Sequence, residues 1–140
     1  ISKPDPKKYM FKPKNREELD DLLDILVPDV RGWEADLNDI DVSKITDMSE
    51  LFYNTEFNGD ISKWDVSKVE DMTEMFSHSD FNGDISEWDV SNVVYMTSMF
   101  SIATEFNGDL SKWDVSNCHD FYNMFYLCPV KDNPPKWYRE

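Results

Sequence analysis

Apolar and polar residues along the chain follow a pattern that recurs every 24 residues. The stretch Phe57–Ser67 returns as Phe81–Ser91 and, after one inserted residue, as Phe106–Ser116. A weaker first copy starts at Trp33, which takes the place of the Phe. Four copies therefore occupy residues 33–128, and a period of this length is typical of proteins built from stacked repeats.

Each copy is predicted to contain a turn, a short strand and a short helix. Residues 57–60 (Phe-Asn-Gly-Asp) predict a turn, because Asn-Gly tolerates the positive φ that other residues avoid. Trp64 and Val66 alternate with polar neighbours, as in a strand. The apolar positions of residues 69–76 fall at i, i+3, i+6 and i+7, which is one face of a short helix.

No single copy can bury its own apolar face, so the copies are expected to stack along a parallel ladder. Stacking places Trp64 under Trp88 under Trp113, in a buried column. The predicted fold class is an α/β repeat, a short right-handed leucine-rich-repeat-like solenoid of about four coils of 24–25 residues. A surface Trp row that holds carbohydrate is the alternative interpretation of the column.

The ends of the stack need caps, and both flanks supply candidates. Asn15, followed three residues later by Glu18, predicts a capping box for a helix over residues 16–27 that ends before Pro28. Residues 137–138 (Trp-Tyr) could fold back over the last copy. The expected organisation is a basic N-terminal arm and capping helix (1–32), the four-coil repeat (33–128) and a C-terminal cap (129–140). These parts are expected to form one complete structural domain. The protein is expected to be a monomer.

Composition narrows the class of protein and of partner. Apolar residues make up 40% of the chain, which indicates a folded protein, and no apolar run approaches the length of a membrane span. The net charge of −15 argues against a nucleic-acid partner. Residues 1–16 are basic, with six Lys or Arg and one Asp. This arm could pair with the acidic body, remain solvated, or contact an anionic surface.

The repeat, Phe-Asn-Gly-Asp-Ile-Ser-x-Trp-Asp-Val-Ser followed by Met-x-x-Met-Phe, closely resembles that of BspA-like bacterial surface proteins, including mycoplasma-type surface lipoproteins. The resemblance covers residues 33–128. It implies a leucine-rich-repeat-like fold, a cell-surface or secreted location and a role in adhesion or host contact, and it transfers no ligand or active site. The chain departs from the family in having only four copies, and it begins at Ile1 without a lipoprotein signal, which indicates a mature or shortened form.

One column of carboxylates is a candidate partner-binding surface. If the copies are in register, four aspartates lie above one another: Asp41, Asp65, Asp89 and Asp114. Like charges at such spacing repel, so the column needs an explanation. Each Asp could accept backbone N–H bonds at a corner, hold a cation with its neighbour, or receive a basic partner. A neighbouring column alternates in sign and favours cross-copy pairing: Asp39, Lys63, Glu87 and Lys112.

The most variable positions of the repeat lie in the loops after Phe52, Phe76 and Phe100, and they are the second candidate surface. Its proposed partner-binding residues are Tyr53, Asn54, His78, Asp80, Ile102 and Glu105. No catalytic residue, metal ligand or cofactor motif is predicted, and the Asn-Gly-Asp triplets are read as structural turns rather than calcium sites. Cys118 and Cys128 are expected as free thiols, with a disulfide as the alternative.

These observations predict a non-enzymatic protein-interaction module of a bacterial surface or secreted protein, whose partner could be a host surface protein. An alternative is a cytoplasmic acidic inhibitor or immunity-type protein that binds a basic bacterial protein. A calcium-stabilised structural repeat is a third possibility. An export signal in the full-length gene would favour the surface or secreted module. A short two-gene operon would favour the cytoplasmic inhibitor.

Overall fold

The computed structural model describes residues 9–139. Helix α1 spans Arg16–Ile25 and is followed by a kinked turn, Leu26–Val30, in which Val27 is extended (φ −125°, ψ 129°), while a 3₁₀ helix, Pro129–Asp132, follows the repeats. Within residues 9–139 the backbone forms no β-strand. Only isolated parallel bridges occur: Phe11–Ile40, Asp36–Asp60, Asp47–Asp71, Asp71–Tyr95 and Tyr95–Asp120.

The four copies are joined by backbone hydrogen bonds along four segments, residues 47–54, 71–78, 95–102 and 120–127, which we call the turn rows. Within each of the first three rows every second N–H donates to a carbonyl of the next row. The bonds from Met48 to Asp71 and from Asn54 to Ser77 both measure 2.9 Å between nitrogen and oxygen. Equivalent bonds join the later rows, so the copies lie above one another in the predicted register.

The predicted fold class is nevertheless wrong, because no copy contains a helix or a strand. In the turn row 71–78, Glu74 and His78 have positive φ values of 54° and 57°, which a right-handed helix cannot contain. Met75 and Ser77 each donate to the carbonyl three residues earlier, whereas the four alternate amides from Met72 to His78 donate to the next copy. The pattern of Met residues three apart, read as one face of a helix, is therefore produced by successive turns. The leucine-rich-repeat-like solenoid of strands and helices is not formed.

The stretch predicted as a strand is also a series of turns. Trp64 donates to the carbonyl of Ile61, and Val69 donates to that of Val66. Each turn reverses the chain before a ladder of several residues can form. Trp64 and Val66 still point inward and are 4% and 1% exposed, so the prediction of which residues are buried is confirmed although the element is not.

The Asn-Gly pairs do not provide a positive φ, contrary to the sequence interpretation. Among the described glycines only Gly32 has one, at 84°. At Gly83 the restriction is steric instead: an added Cβ would lie 2.7 Å from Cζ of Phe81 and 3.0 Å from the carbonyl oxygen of Gly59. Glycine is thus required because the Phe ring two residues earlier lies against the backbone.

The predicted buried Trp column is confirmed. Trp64, Trp88 and Trp113 are each 4% exposed, so the alternative of a surface row for carbohydrate is wrong. The indole N–H of Trp88 donates to the carbonyl of Ile61 at 3.1 Å, and equivalent bonds hold the other two indoles. Each indole therefore joins two successive copies and leaves no donor unpaired in the core.

Phenylalanine rings form a second column beside the Trp residues. The rings of Phe76 and Phe100 stack with centroids 5.5 Å apart, and Phe81 stacks on Phe76 at 4.3 Å. The column continues through the four copies by way of Phe52 and Phe125. This continuous stack of aromatic rings supplies apolar burial without regular secondary structure.

Helix α1 closes the first copy much as predicted. The Asn15 side chain accepts a hydrogen bond from the N–H of Glu18, which confirms the N-cap, and Leu19 and Leu23 are buried. The helix ends at Ile25, two residues before the predicted end, and the kinked turn that follows it includes Pro28. Residues 1–8 of the basic arm lie outside the described residues.

Two arginines cap backbone carbonyls at the same end of the stack. The Arg16 guanidinium donates to the carbonyl of Asp47 at 3.3 Å, and that of Arg31 donates to the carbonyl of Asp36 at 3.1 Å. At the opposite end Trp137 stacks on Trp113 at 6.4 Å and donates its indole N–H to Leu110. The expected folding back of the C-terminal Trp is therefore observed.

Candidate partner-binding surfaces

The predicted Asp column exists, and each carboxylate closes a corner of the backbone. In every copy the carboxylate accepts a hydrogen bond from the N–H two residues later, the geometry of an Asx-turn. These bonds measure 3.0–3.1 Å and involve Asp41, Asp65, Asp89 and Asp114. The corner interpretation of the column is confirmed, although no helix follows the corner.

Two further Asp columns make the same turn, and the sequence reasoning did not assign them as sites. One consists of Asp36, Asp60, Asp84 and Asp109. The other consists of Asp47, Asp71 and Asp120, with Tyr95 replacing Asp in the third copy. The signal was present in most copies as the recurring triplet Asp-x-Ser or Asp-x-Thr, since an Asp side chain readily bonds the backbone N–H two residues later.

Hydrogen bonding keeps several of these carboxylates ionised. The Ser86 side chain and backbone lower the pKa of Asp84, and this effect exceeds the opposing repulsion from Asp60 and Asp109. Ser111 and Ser116 lower the pKa of Asp109 and of Asp114 in the same way. Among residues 9–139 no group of three His, Cys, Asp or Glu side chains is arranged to hold a metal ion.

We expect the Ser86→Ala variant to lose less stability on acidification than the parent does. The lowered pKa of Asp84 contributes stability above the ordinary value of 3.8, and this contribution disappears as the pH falls through the lowered value. Removing the Ser86 hydroxyl, which donates to Asp84 at 2.7 Å, should move that pKa back toward 3.8. A carboxyl NMR titration of Asp84 and urea unfolding between neutral pH and pH about 3 measure both effects.

Ser49→Ala is the matched control, because the Ser49 backbone N–H, and not its hydroxyl, contacts Asp47. An Asp84 pKa that is the same in the parent and in Ser86→Ala would contradict the assigned cause.

The column of alternating charge forms only in part. Lys112 and Glu87 pair across copies at 3.0 Å, as expected. Asp39 instead pairs with Arg31, whose two terminal nitrogens donate to both carboxylate oxygens at 2.8 and 2.9 Å. This bidentate bond lowers the pKa of Asp39 and fixes Arg31 at the first copy.

The variable-loop candidates lie at the ends of the turn rows. Tyr53, Asn54 and His78 are exposed, whereas Ile102 is half-buried, and the Tyr53 and His78 rings meet edge to face at 5.4 Å. Asp80 and Glu105, just beyond the rows, are also exposed. The Asp column belongs to a separate segment of each copy. The residues of the two candidate surfaces therefore lie in two separate segments of each copy.

Exposed tyrosines and one exposed leucine in the last two rows were missed by the sequence reasoning. Tyr122 is 70% exposed, Leu127 57%, Tyr95 50% and Tyr126 45%. The last row has Tyr122 and Tyr126 where the second and third rows have Thr or Ser. This change from small polar to aromatic side chains was the available signal, although Ser77 and Ser101, at the position of Tyr126, are buried.

Comparison with known proteins places the chain in a family. The family described as "Mycoplasma protein of unknown function, DUF285" matches residues 23–137, which include all four copies. The chain belongs to this family. Membership in the DUF285 family supports a mycoplasma-type surface repeat family at the coarse level, while the BspA-like leucine-rich-repeat part of the resemblance is not confirmed. No curated protein and no solved structure gives a significant match.

No helix within residues 9–139 has the length and apolar character needed to cross a bilayer.

The two cysteines of this DUF285 chain are free thiols, as predicted. Cys128 is 4% exposed, and burial raises its pKa to about 11. Cys118 is half-buried and packs against the core, and burial raises its pKa too.

We expect a maleimide to label Cys118 before Cys128 in the native protein. A buried thiol with a raised pKa offers little thiolate to the reagent. Mass spectrometry of the labelled peptides, with and without urea, provides the measurement. In the Cys118→Ala control, labelling should require urea, and rapid native labelling of Cys128 would contradict its burial.

Proposed function

We propose that this DUF285 chain is a non-enzymatic protein-interaction module of a bacterial surface or secreted protein. It binds a protein partner through its Asp columns and turn rows, in adhesion or host contact. The observation that carries the proposal is that different positions of each turn row hold the fold and face the solvent. Backbone hydrogen bonds and buried Met and Phe side chains hold the row, so the exposed positions are free to vary without loss of the fold.

Charge supports a partner with a basic surface. The net charge is −15, and three Asp columns repeat along the stack. An acidic field of this kind accelerates the encounter with a basic partner and discriminates against acidic ones. The charges stay in place because Asx-turns fix the carboxylates at corners of the backbone.

The test is a pull-down with the purified chain, from host-cell surface extract and from bacterial lysate, at low and physiological salt. The informative variant carries Asp65→Asn, Asp89→Asn and Asp114→Asn. Asn preserves the Asx-turn acceptor and removes the charge. A matched control changes three exposed acidic residues of α1 by the same total charge: Glu17→Gln, Asp21→Asn and Asp24→Asn.

We expect specific capture of a host protein by the parent and the α1 control, weaker capture by the column variant, and a loss of capture as salt rises. Equal capture by both variants would contradict a role for the Asp column. The second candidate, an intracellular inhibitor or immunity-type protein, is favoured by the same charge. Capture of a basic bacterial protein from lysate, with none from host extract, would support it instead.

A further inference from the structure

The Asn side chains of the three Asn-Gly pairs form a ladder along the stack. Oδ1 of Asn58 accepts a hydrogen bond from the backbone N–H of Asn82 at 2.8 Å, and Oδ1 of Asn82 accepts one from Asn107 at 3.0 Å. The ladder ends at Asn107, because no further copy follows. Within residues 9–139 the side-chain amide of Asn107 has no hydrogen-bond partner. We call these three residues the asparagine ladder.

An Asn-Gly pair contains the reacting groups for a covalent change. After losing its proton to hydroxide, the Gly nitrogen can attack Cγ of the preceding Asn, because Gly has no Cβ to block the approach. A bond between this nitrogen and Cγ closes a succinimide ring, the bond between Cγ and Nδ2 breaks, and the leaving nitrogen takes a proton from water and departs as ammonia. Water then opens the ring to aspartate or isoaspartate, which carries a negative charge.

Neither the Gly nitrogens nor solvent exposure distinguishes the copies. The N–H groups of Gly59, Gly83 and Gly108 donate to no acceptor in the part of the chain that the structure describes, and the Asn residue before each of them is exposed. Residues 55–60 and 104–109 even share one sequence, Thr-Glu-Phe-Asn-Gly-Asp. A difference in reactivity between these two segments of the folded chain must therefore come from the tertiary structure.

The copies differ in what holds the Asn side chain. Closing the ring turns Cγ toward the Gly nitrogen, so Asn58 and Asn82 would each give up the bond to the following copy and leave its N–H without an acceptor. Asn107 gives up no such bond. Its side chain lines a cavity of about 660 Å³ beside the C-terminal cap, together with Pro135 and Lys136 among others.

We propose that Asn107 is a site of spontaneous deamidation in the folded protein, and that the asparagine ladder protects Asn58 and Asn82 from the same reaction. The reaction consumes only water, with hydroxide as the base. It adds a negative charge to the last copy, next to the C-terminal cap. This modification is independent of the proposed function.

The test follows deamidation of the full chain with time, in native buffer at neutral and mildly alkaline pH and in urea. Peptide mapping by mass spectrometry, after digestion at acid pH, measures the reaction at each Asn. In the folded chain Asn107 should react about fivefold faster than Asn58 and Asn82, the factor that one ordinary hydrogen bond contributes to a barrier. In urea Asn58 and Asn107 should react equally fast, because their local sequences are identical.

Asn133 provides the internal negative control. It is exposed and lines the same cavity, but Pro134 follows it, and a Pro nitrogen carries no hydrogen to lose. The Asn107→Gln variant should lack the acidic form that ion-exchange chromatography separates from the aged parent, because a Gln side chain must close a larger ring. The matched variant Asn133→Gln should form it at the rate of the parent.

NMR relaxation of the ¹⁵N-labelled side-chain amides tests the cause separately from the rate. The Asn107 amide should move more freely than those of Asn58 and Asn82. Equal rates for the three residues in the folded chain would overturn the inference, as would an Asn107 amide as rigid as the other two. Faster reaction at Asn58 or Asn82 would overturn it too, since the bond to Oδ1 would then activate the side chain. A difference between Asn58 and Asn107 that persists in urea would remove the ladder as its cause.

Discussion

Replacing Trp88 by alanine should lower the free energy of unfolding by about 3–5 kcal/mol, the range for truncating a large core side chain. Trp88 is 4% exposed and lies in the third of the four copies, where neighbours on both sides limit collapse of the cavity. The substitution also leaves the carbonyl of Ile61 without its indole donor. Urea unfolding followed by circular dichroism measures the change.

Trp88→Phe is the matched control, because it retains most of the apolar volume and removes the indole N–H. This variant should lower the free energy of unfolding by less, about 1–3 kcal/mol, because of the lost hydrogen bond and the smaller ring. If Trp88→Ala unfolds at the same urea concentration as the parent, the Trp column does not form the core of the stack.

Gly59→Ala should destabilise the protein by about 3 kcal/mol, the upper end of the usual range for overpacking. The added Cβ would overlap the carbonyl oxygen of Ala35, a backbone atom that accepts a hydrogen bond from Asp60 and so joins the first two copies. It would also lie 2.6 Å from Cε1 of Phe57. Backbone must move for the methyl group to fit.

Gly108→Ala tests whether the backbone collision is the decisive cost. At this equivalent glycine the nearest atoms to an added Cβ belong to the Phe106 ring, with Cζ at 2.7 Å, and a ring can shift. We expect a loss of about 1–2 kcal/mol there. Equal decreases in the free energy of unfolding for the two variants, measured by urea unfolding, would show that the overlap with the Ala35 carbonyl adds no cost.

The sequence was most informative where one side chain sets one contact. The N-cap at Asn15 follows from a single amide oxygen beside free helix N–H groups, and the structure forms it. The burial of Trp64, Trp88 and Trp113 follows because identical large residues at one register position must share one environment. The Asx-turn at Asp65 follows from local Asp-x-Ser chemistry.

The candidate surfaces were predictable only in part. Tyr53 and His78 were chosen because they vary between copies, and the structure leaves both exposed. The exposed tyrosines of the last row could have been found in the same way, because Tyr122 and Tyr126 replace small polar residues.

The sequence by itself determined the 24-residue period, the register of the copies, the identity of the buried residues and the acidic character of the surface. These features depend on side-chain chemistry repeated at fixed positions. Tertiary structure decided the backbone conformation of each copy. A spacing of three between Met72 and Met75 suits both a helix and a turn. The choice is made by hydrogen bonds to residues about 24 positions away, which direct the amides outward to the next copy rather than back along a helix.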